Sequence, residues 1–395
     1  MTAAAPTDDS SAGRFPTLSL LVLLGCIGAA LALVYPPVRD RVDQIEYWTA
    51  DWRTALLADR TPDKHPRLTV VLFDPATFDG GVISPIPRDT HAQVLRALAA
   101  MRPKAMGLDF FFVASQGPEK DGAMLKALNE IDVPIVLGAI DQHTSEFSAK
   151  QQAYQKGFLA DAKRPAGYLA LRYDPGHIVR RTSPPLPESP LQESFARQIV
   201  VAAGETEKGP GASSASTRIA WLLGPGFNTQ PFYTVSAGAL LPGADPARLK
   251  ELEERVKGNI VLTGIDMPNS DRHDTALSVW TDDKMLGVLV HAHILAQLLD
   301  NRYFYDLEGH ERLAFLLAVA AVGLVLGWAV RGRRASLLNL SVATVILVGV
   351  DAACYYFLRT ALPFTLALYV WFLGVLAGQH LHALVHWARS PAPSA

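Results

Sequence analysis

Three apolar stretches packed almost end to end, Leu313 to Val330, Leu337 to Leu358 and Ala361 to Val385, constrain this chain more than any other feature. Each approaches the ~20 residues needed to cross a hydrocarbon core of ~30 Å. A fourth, Thr17 to Tyr35, lies near the N-terminus. Between the first two of the C-terminal stretches sits Arg331-Gly332-Arg333-Arg334, and a short loop with three arginines belongs on the cytoplasmic side. The topology follows. Residues 1–16 form an inner tail, 17–35 the first span, 36–312 a large outer segment, 313–330, 337–358 and 361–385 the remaining spans, and 386–395 a short inner tail. A second reading of the first span is a cleaved signal peptide, since Arg14 precedes a run holding Ala30-Leu31-Ala32. The uncleaved anchor is preferred. A single arginine faces Asp8 and Asp9, and the apolar run continues to Tyr35 and Pro36-Pro37.

Polar residues inside the spans are few. Asp351 is the one carboxylate, and charge at that depth calls for a partner. Counted from the turn near Arg359, Tyr369 lies at a similar depth on the next helix, so a hydroxyl-to-carboxyl bond across the hairpin is expected. Gly25 and Ala29 have the small-xxx-small spacing that lets helices approach. His380, His382 and His386 sit near the inner end of the last span, where an interfacial role is expected rather than metal binding. The only cysteines, Cys26 and Cys354, lie in apolar runs and read as packing residues, with no disulfide framework.

Between Pro36 and Arg312 the pattern changes to short apolar strands alternating with amphipathic stretches, the mark of an α/β domain. Leu68 to Phe73, Ala105 to Val113, Val133 to Ile140 and Asn259 to Gly264 read as buried, mostly parallel strands. Helices are expected at Asp89 to Met101 with Asp89 as N-cap, at Lys120 to Ile131, at Gln192 to Ala203, after Asp245-Pro246, and at Val288 to Leu299. The expected fold is thus an α/β domain, a mixed and mostly parallel sheet with helices on both faces, plus an all-α transmembrane region of four helices. Gly204 to Ser216 reads as a polar loop. The net charge of -2, with both signs well mixed, leaves no basic surface for nucleic acid.

Several short motifs occur in a telling order: Asp51-Trp52-Arg53, Val70-Val71-Leu72-Phe73-Asp74, Ser84-Pro85-Ile86-Pro87-Arg88, Gly107-Leu108-Asp109 followed by Asp121, and Asp174-Pro175-Gly176-His177-Ile178-Val179-Arg180-Arg181. Lys257 to Gly264 follows, then Asp271, Asp274-Thr275, Gly287-Val288, His291-Ala292 and Leu298-Leu299. Together, from Asp51 to Phe304, they resemble the CHASE2 extracellular sensor family. The departures are the absence of both tryptophans of the Trp-Pro-Trp-Pro-Arg-like turn, and Ala276 and Leu286 where prolines are expected.

The resemblance implies a sensor in a bacterial inner membrane, with the large domain periplasmic, that passes a signal inward to a cyclase or kinase. Family members usually carry that output on the same chain. Here the sequence ends at Ala395, so the expected effector is a separate membrane or cytoplasmic signalling protein, with a homo-oligomer also among the expected partners. The alternative is a structural or assembly component of an envelope protein complex. Asp74 and Asp109 end two expected parallel strands, the edge where open α/β sheets bind ligands, and Arg88, Asp271 and Asp274 would complete a rim. The same residues would otherwise cap helices and tie loops. No nucleophile elbow, phosphate loop or zinc motif occurs, so no catalytic residue, metal or cofactor is expected.

Overall fold

The computed structural model describes residues 17–32, 35–141, 147–184, 189–206, 216–226, 229–281, 283–307, 309–330 and 333–389. The chain divides into two compact units, one of residues 51–305 and the other of residues 1–50 with 306–395. Helices run α1 Thr17–Ala32, α2 Pro36–Leu57, α3 Arg88–Ala100, α4 Pro118–Glu130, α5 Ala149–Ala162, α6 Phe195–Ala202, α7 Pro246–Val256, α8 Ser278–Thr281, α9 Gly287–Asp300, α10 Gly309–Ala329, α11 Arg333–Leu358 and α12 Phe364–Arg389. The strands before residue 305 are β1 Asp59–Arg60, β2 Leu68–Phe73, β3 Ala105–Leu108, β4 Ile135–Ala139, β5 Ala166–Tyr168, β6 Arg172–Asp174, β7 Ile178–Arg181, β8 Leu222–Leu223, β9 Tyr233–Ser236, β10 Ile260–Ile265, β11 Arg272–Thr275 and β12 Met285–Leu286.

In the unit of residues 51–305, six strands form a parallel sheet in the order β5-β4-β3-β10-β2-β9. Period-two alternation sends Leu68, Val70, Val136, Ile260 and Leu262 into one core with α6 and α9. Val71, Phe73, Ile135, Leu137 and Val261 enter the opposite core with α3, α4, α5 and α7. Both faces are therefore covered, which is why these strands lack polar alternation. Gly264 is required by close packing. A Cβ there would lie 2.5 Å from Val288 at the start of α9. A smaller sheet, β12-β11-β7-β6, supplies the antiparallel pairs.

Several expected boundaries shift for identifiable reasons. The run expected as a strand to Val113 leaves the sheet after Leu108, and Phe110 turns instead into a ring cluster with Phe73 and His91, at 5.6 and 4.4 Å between centroids. Asp89 is not the cap of α3. The cap lies two residues earlier, at Pro87, and the Gln116 side chain accepts the N–H of the first helical residue, Arg88, at 3.0 Å. Asp245 caps α7 as expected, accepting from the Ala247 N–H at 3.0 Å. Helix α5 and strands β5, β6, β7, β9 and β11 were not anticipated. The expected Gly204 to Ser216 loop lies outside the described residues from 207 to 215.

In the other unit, α10, residues Leu337–Leu358 of α11, and α12 are each long and apolar enough to cross a membrane. Helix α1 spans 16 residues and reaches spanning length only if counted with α2 as one bent pair. Helix α12 crosses α10 through glycines on both sides. A Cβ on Gly327 would lie 2.2 Å from the Val375 carbonyl, and one on Gly378 would lie 2.2 Å from the Leu324 carbonyl. Gly323 and Gly374 are also tight, with carbonyls at 2.8 and 2.5 Å. Gly25, by contrast, has open space around it.

The N-terminus of α12 is capped by Glu46 of α2, whose carboxylate accepts N–H groups of Phe364, Thr365 and Leu366 at 3.1, 2.7 and 3.3 Å. A carboxylate there satisfies orphan donors and meets the positive end of the helix dipole. The expected Asp351–Tyr369 bond is replaced by another: Tyr369 donates to the Ala29 carbonyl of α1 at 3.2 Å. Tyr369 lies on the side of α12 that meets α1, while Asp351 is buried on α11. His380 pairs with Ser19 at 3.2 Å, and His382 stands edge-on to Trp328 at 5.1 Å. Both cysteines are free. The expected loop residues Arg331 and Gly332, the inner tail of residues 1–16 and residues 390–395 lie outside the described residues, and Arg334 is already helical.

Candidate functional site

The five residues expected to form one rim are distributed over four separate settings. Asp74 follows β2 and caps a short 3-10 turn, Pro75–Phe78. Its Oδ1 accepts from the Thr77 N–H at 3.0 Å, the Thr77 hydroxyl at 2.8 Å and the Ser236 hydroxyl at 2.6 Å. Arg88 is buried, 2% exposed, and ion-pairs with Asp121. It also donates to the Tyr154 hydroxyl at 2.6 Å and the Ala114 carbonyl at 2.7 Å, and stacks over Phe158 at 4.7 Å. Burial opposes ionisation of Asp121, but bonds from Ser115, Gln116 and Tyr154 and the charge of Arg88 hold its pKa below the usual carboxylate range. Asp274 pairs with Lys284 at 3.1 Å. These three settings are internally satisfied, so they fasten loops to the sheet.

Asp109 and Asp271 are different, because the charge of Asp271 acts on Asp109. Asp109 follows β3, and its carboxyl forms no hydrogen bond with a described residue. Burial, then the charge of Asp271, raises its pKa to about 7. Asp271 leads into β11, where Oδ2 lies 2.9 Å from Nε2 of His273 in an approach not aligned as a hydrogen bond. His273 Nδ1 lies 2.7 Å from the Tyr173 hydroxyl on β6. The neighbouring His291 of α9 is held neutral, its pKa lowered to about 4 by burial and then by His273. Tyr173, His273 and Asp271 thus lie in succession near Asp109, with a hydrogen bond at the Tyr173–His273 link and only a close approach at His273–Asp271. Among the described residues, no three His, Cys, Asp or Glu side chains gather as metal ligands.

A cavity of about 400 Å³ opens between β2, β8, the β11–β12 pair and α9. Leu72, Leu223, Leu277 and Leu289 give it apolar walls, and Leu289 and His293, one turn apart on α9, line it together with Leu286 at the end of β12. Arg60, Arg272, Lys284, Asp266 and Asp283 supply the charge around it. This size and mixture suit a small organic ligand. Sequence reasoning missed the cavity because its walls come from short elements with little periodicity of their own. Asp266 and Arg272 do sit beside the motif residues Gly264 and Asp271, which is the signal that was available.

The CHASE2 domain matches residues 22–331. The chain belongs to the CHASE2 domain family. No curated protein and no solved structure matches it. Membership suggests an extracellular sensory domain, joined here to helices long and apolar enough to span a membrane. The CHASE2 motif residues also acquire physical roles. Arg180, from the Asp174 to Arg181 turn, grips Asp51 of the opening motif with Nε on Oδ1 at 2.8 Å and Nη2 on Oδ2 at 2.7 Å. Both are buried, and Arg180 also donates to the Pro175 carbonyl at 3.0 Å. The fork-to-carboxylate geometry requires arginine, since lysine offers no matching planar pair of donors.

Proposed function

We propose that this chain is a non-enzymatic, membrane-anchored CHASE2 sensor of a bacterial inner membrane, with α1 as a fourth span and the α/β domain in the periplasm. A small ligand held in the α/β domain changes the state of the membrane helices, and a separate signalling protein, a kinase or cyclase, reads that change. The observation that carries this reading is the cavity of about 400 Å³ within a domain whose family is sensory. Its apolar walls supply affinity, and its few charged groups supply selection. Asp109 and Asp271 lie outside the residues that line it and are assigned no catalytic role.

The test is mild crosslinking of the tagged protein in membranes, followed by extraction and mass spectrometry, with and without Leu289→Trp, which fills the cavity. A kinase or cyclase whose capture changes with the substitution supports the sensor. Capture of envelope proteins alone, indifferent to Leu289→Trp, would replace it with an assembly role.

A further inference from the structure

The cavity's unsatisfied donors point to the chemistry of its ligand, and this inference rests on the cavity being the binding site. Of the charged groups around it, Arg272 pairs with Asp266 at 2.5 Å, and Lys284 pairs with Asp274 at 3.1 Å. Asp283 has a partner within the protein. Arg60 differs from these. It forms no ion pair with a described residue, and its guanidinium makes one long hydrogen bond, Nη1 to the Gly226 carbonyl at 3.4 Å. Strand pairing of β1 with β8 fixes its backbone opposite Leu223, another residue lining the cavity.

The second donor is His293, which is fully buried. Its Nδ1 accepts the Leu222 N–H at 3.3 Å, and its Nε2 has no hydrogen-bond partner. Burial, then the charges of Arg302 and His65, lowers its pKa to about 3, so the ring is neutral at physiological pH. A neutral imidazole that accepts at Nδ1 carries its proton at Nε2. A buried N–H left without an acceptor is costly, and a ligand oxygen would remove that cost. Edge-to-face contacts with Trp221 and Phe232, at 5.0 and 4.9 Å, keep the ring from turning away.

We infer that the cavity binds a small organic acid: a carboxylate held by Arg60, an apolar body against Leu72 and Leu289, and an acceptor atom within reach of His293. A guanidinium with no ion-pair partner among the described residues and an imidazole N–H with no acceptor, beside apolar walls, are complementary to an anion with an apolar stem rather than to a cation or a hydrocarbon. Arg60 is exposed, so it selects at the entrance.

The experiment is calorimetric titration of the full chain in nanodiscs, with empty nanodiscs subtracted, using three ligands of one shape: phenylacetate, 2-phenylethanol and 2-phenylethylamine. Phenylacetate is expected to bind about tenfold or more tightly than either counterpart, the scale of a hydrogen bond to a charged group. Arg60→Gln should erase that preference, and Arg60→Lys should retain much of it. Arg60 is exposed on a two-residue strand, so both variants are expected to fold, and circular dichroism checks this. Equal binding of all three ligands, preference for the amine, or an unchanged preference in Arg60→Gln overturns the acid inference while leaving a ligand cavity. Absence of binding by all three overturns both.

Discussion

Asp51 and Arg180 lie 129 positions apart in sequence, and each is about 3% exposed at its side chain. Removing one partner strands a buried charge, so Arg180→Met is expected to cost about 3–5 kcal/mol of stability, while Asp51→Leu with Arg180→Met restores much of it. Thermal unfolding of the extracted protein, compared across the singles and the double, measures this. Asp109 makes a second prediction. Its folded pKa, pushed up to about 7, lies well above the ordinary aspartate range, so the folded state resists ionisation. The resulting penalty is absent below pH ~4, grows as pH rises towards 7 and is constant above. Asp109→Asn should therefore raise the melting temperature at pH 8 relative to the parent and leave it nearly unchanged at pH 4. An increase at both pH values would show that the gain does not come from ionisation. At this scale the sequence was legible as motif but not as role. Asp74, Arg88, Asp109, Asp121 and Asp271 were visible, yet the pairing of Arg88 with Asp121 and the distant partners Ser236, Tyr154 and Tyr173 that separate anchoring from a titrating cluster are brought in only by folding.

Elements with strong pattern were read well, and weak ones were missed. Strands β2, β4 and β10 are continuous Val/Ile/Leu runs because helices cover both faces, so they stand out in the sequence. Helix α5 buries only Gln155, Phe158 and Ala162 and shows no apolar stripe to detect. Phe110 to Val113 misled for the opposite reason, since an apolar run packs as well in a ring cluster as in a strand. The glycines of α10 and α12 were overlooked in favour of Gly25 and Ala29, because small-xxx-small spacing recurs throughout helices rich in Gly and Ala and says nothing about which face meets a neighbour. Gly327→Leu and Gly378→Leu are each expected to lower the melting temperature of the extracted protein by many degrees, whereas Gly25→Leu should leave it nearly unchanged. Equal effects at all three positions would contradict the crossing.

For the molecule as a whole, the arginines at 331, 333 and 334, the last two opening α11, and the proposed fourth span make a prediction about sidedness. In a background lacking Cys26 and Cys354, a cysteine replacing Arg334 should resist a membrane-impermeant maleimide in cells with a permeabilised outer membrane, whereas one replacing Asp306 should react. Reaction at Arg334→Cys would invert the topology and remove the periplasmic assignment. The architecture, parallel strands followed by three apolar helices, was plain from hydropathy alone. The cavity was not, since it is enclosed by segments drawn from residues 55–293. The glycine crossing has one more consequence. Helices held apart by long side chains can slide or roll by exchanging rotamers, and a displacement of one is absorbed before it reaches the other. Here carbonyl groups meet opposing backbone with no side chain between, so α10 and α12 have no such slack. A displacement of either at the crossing is therefore expected to carry the other with it, so that the pair moves as a single strut.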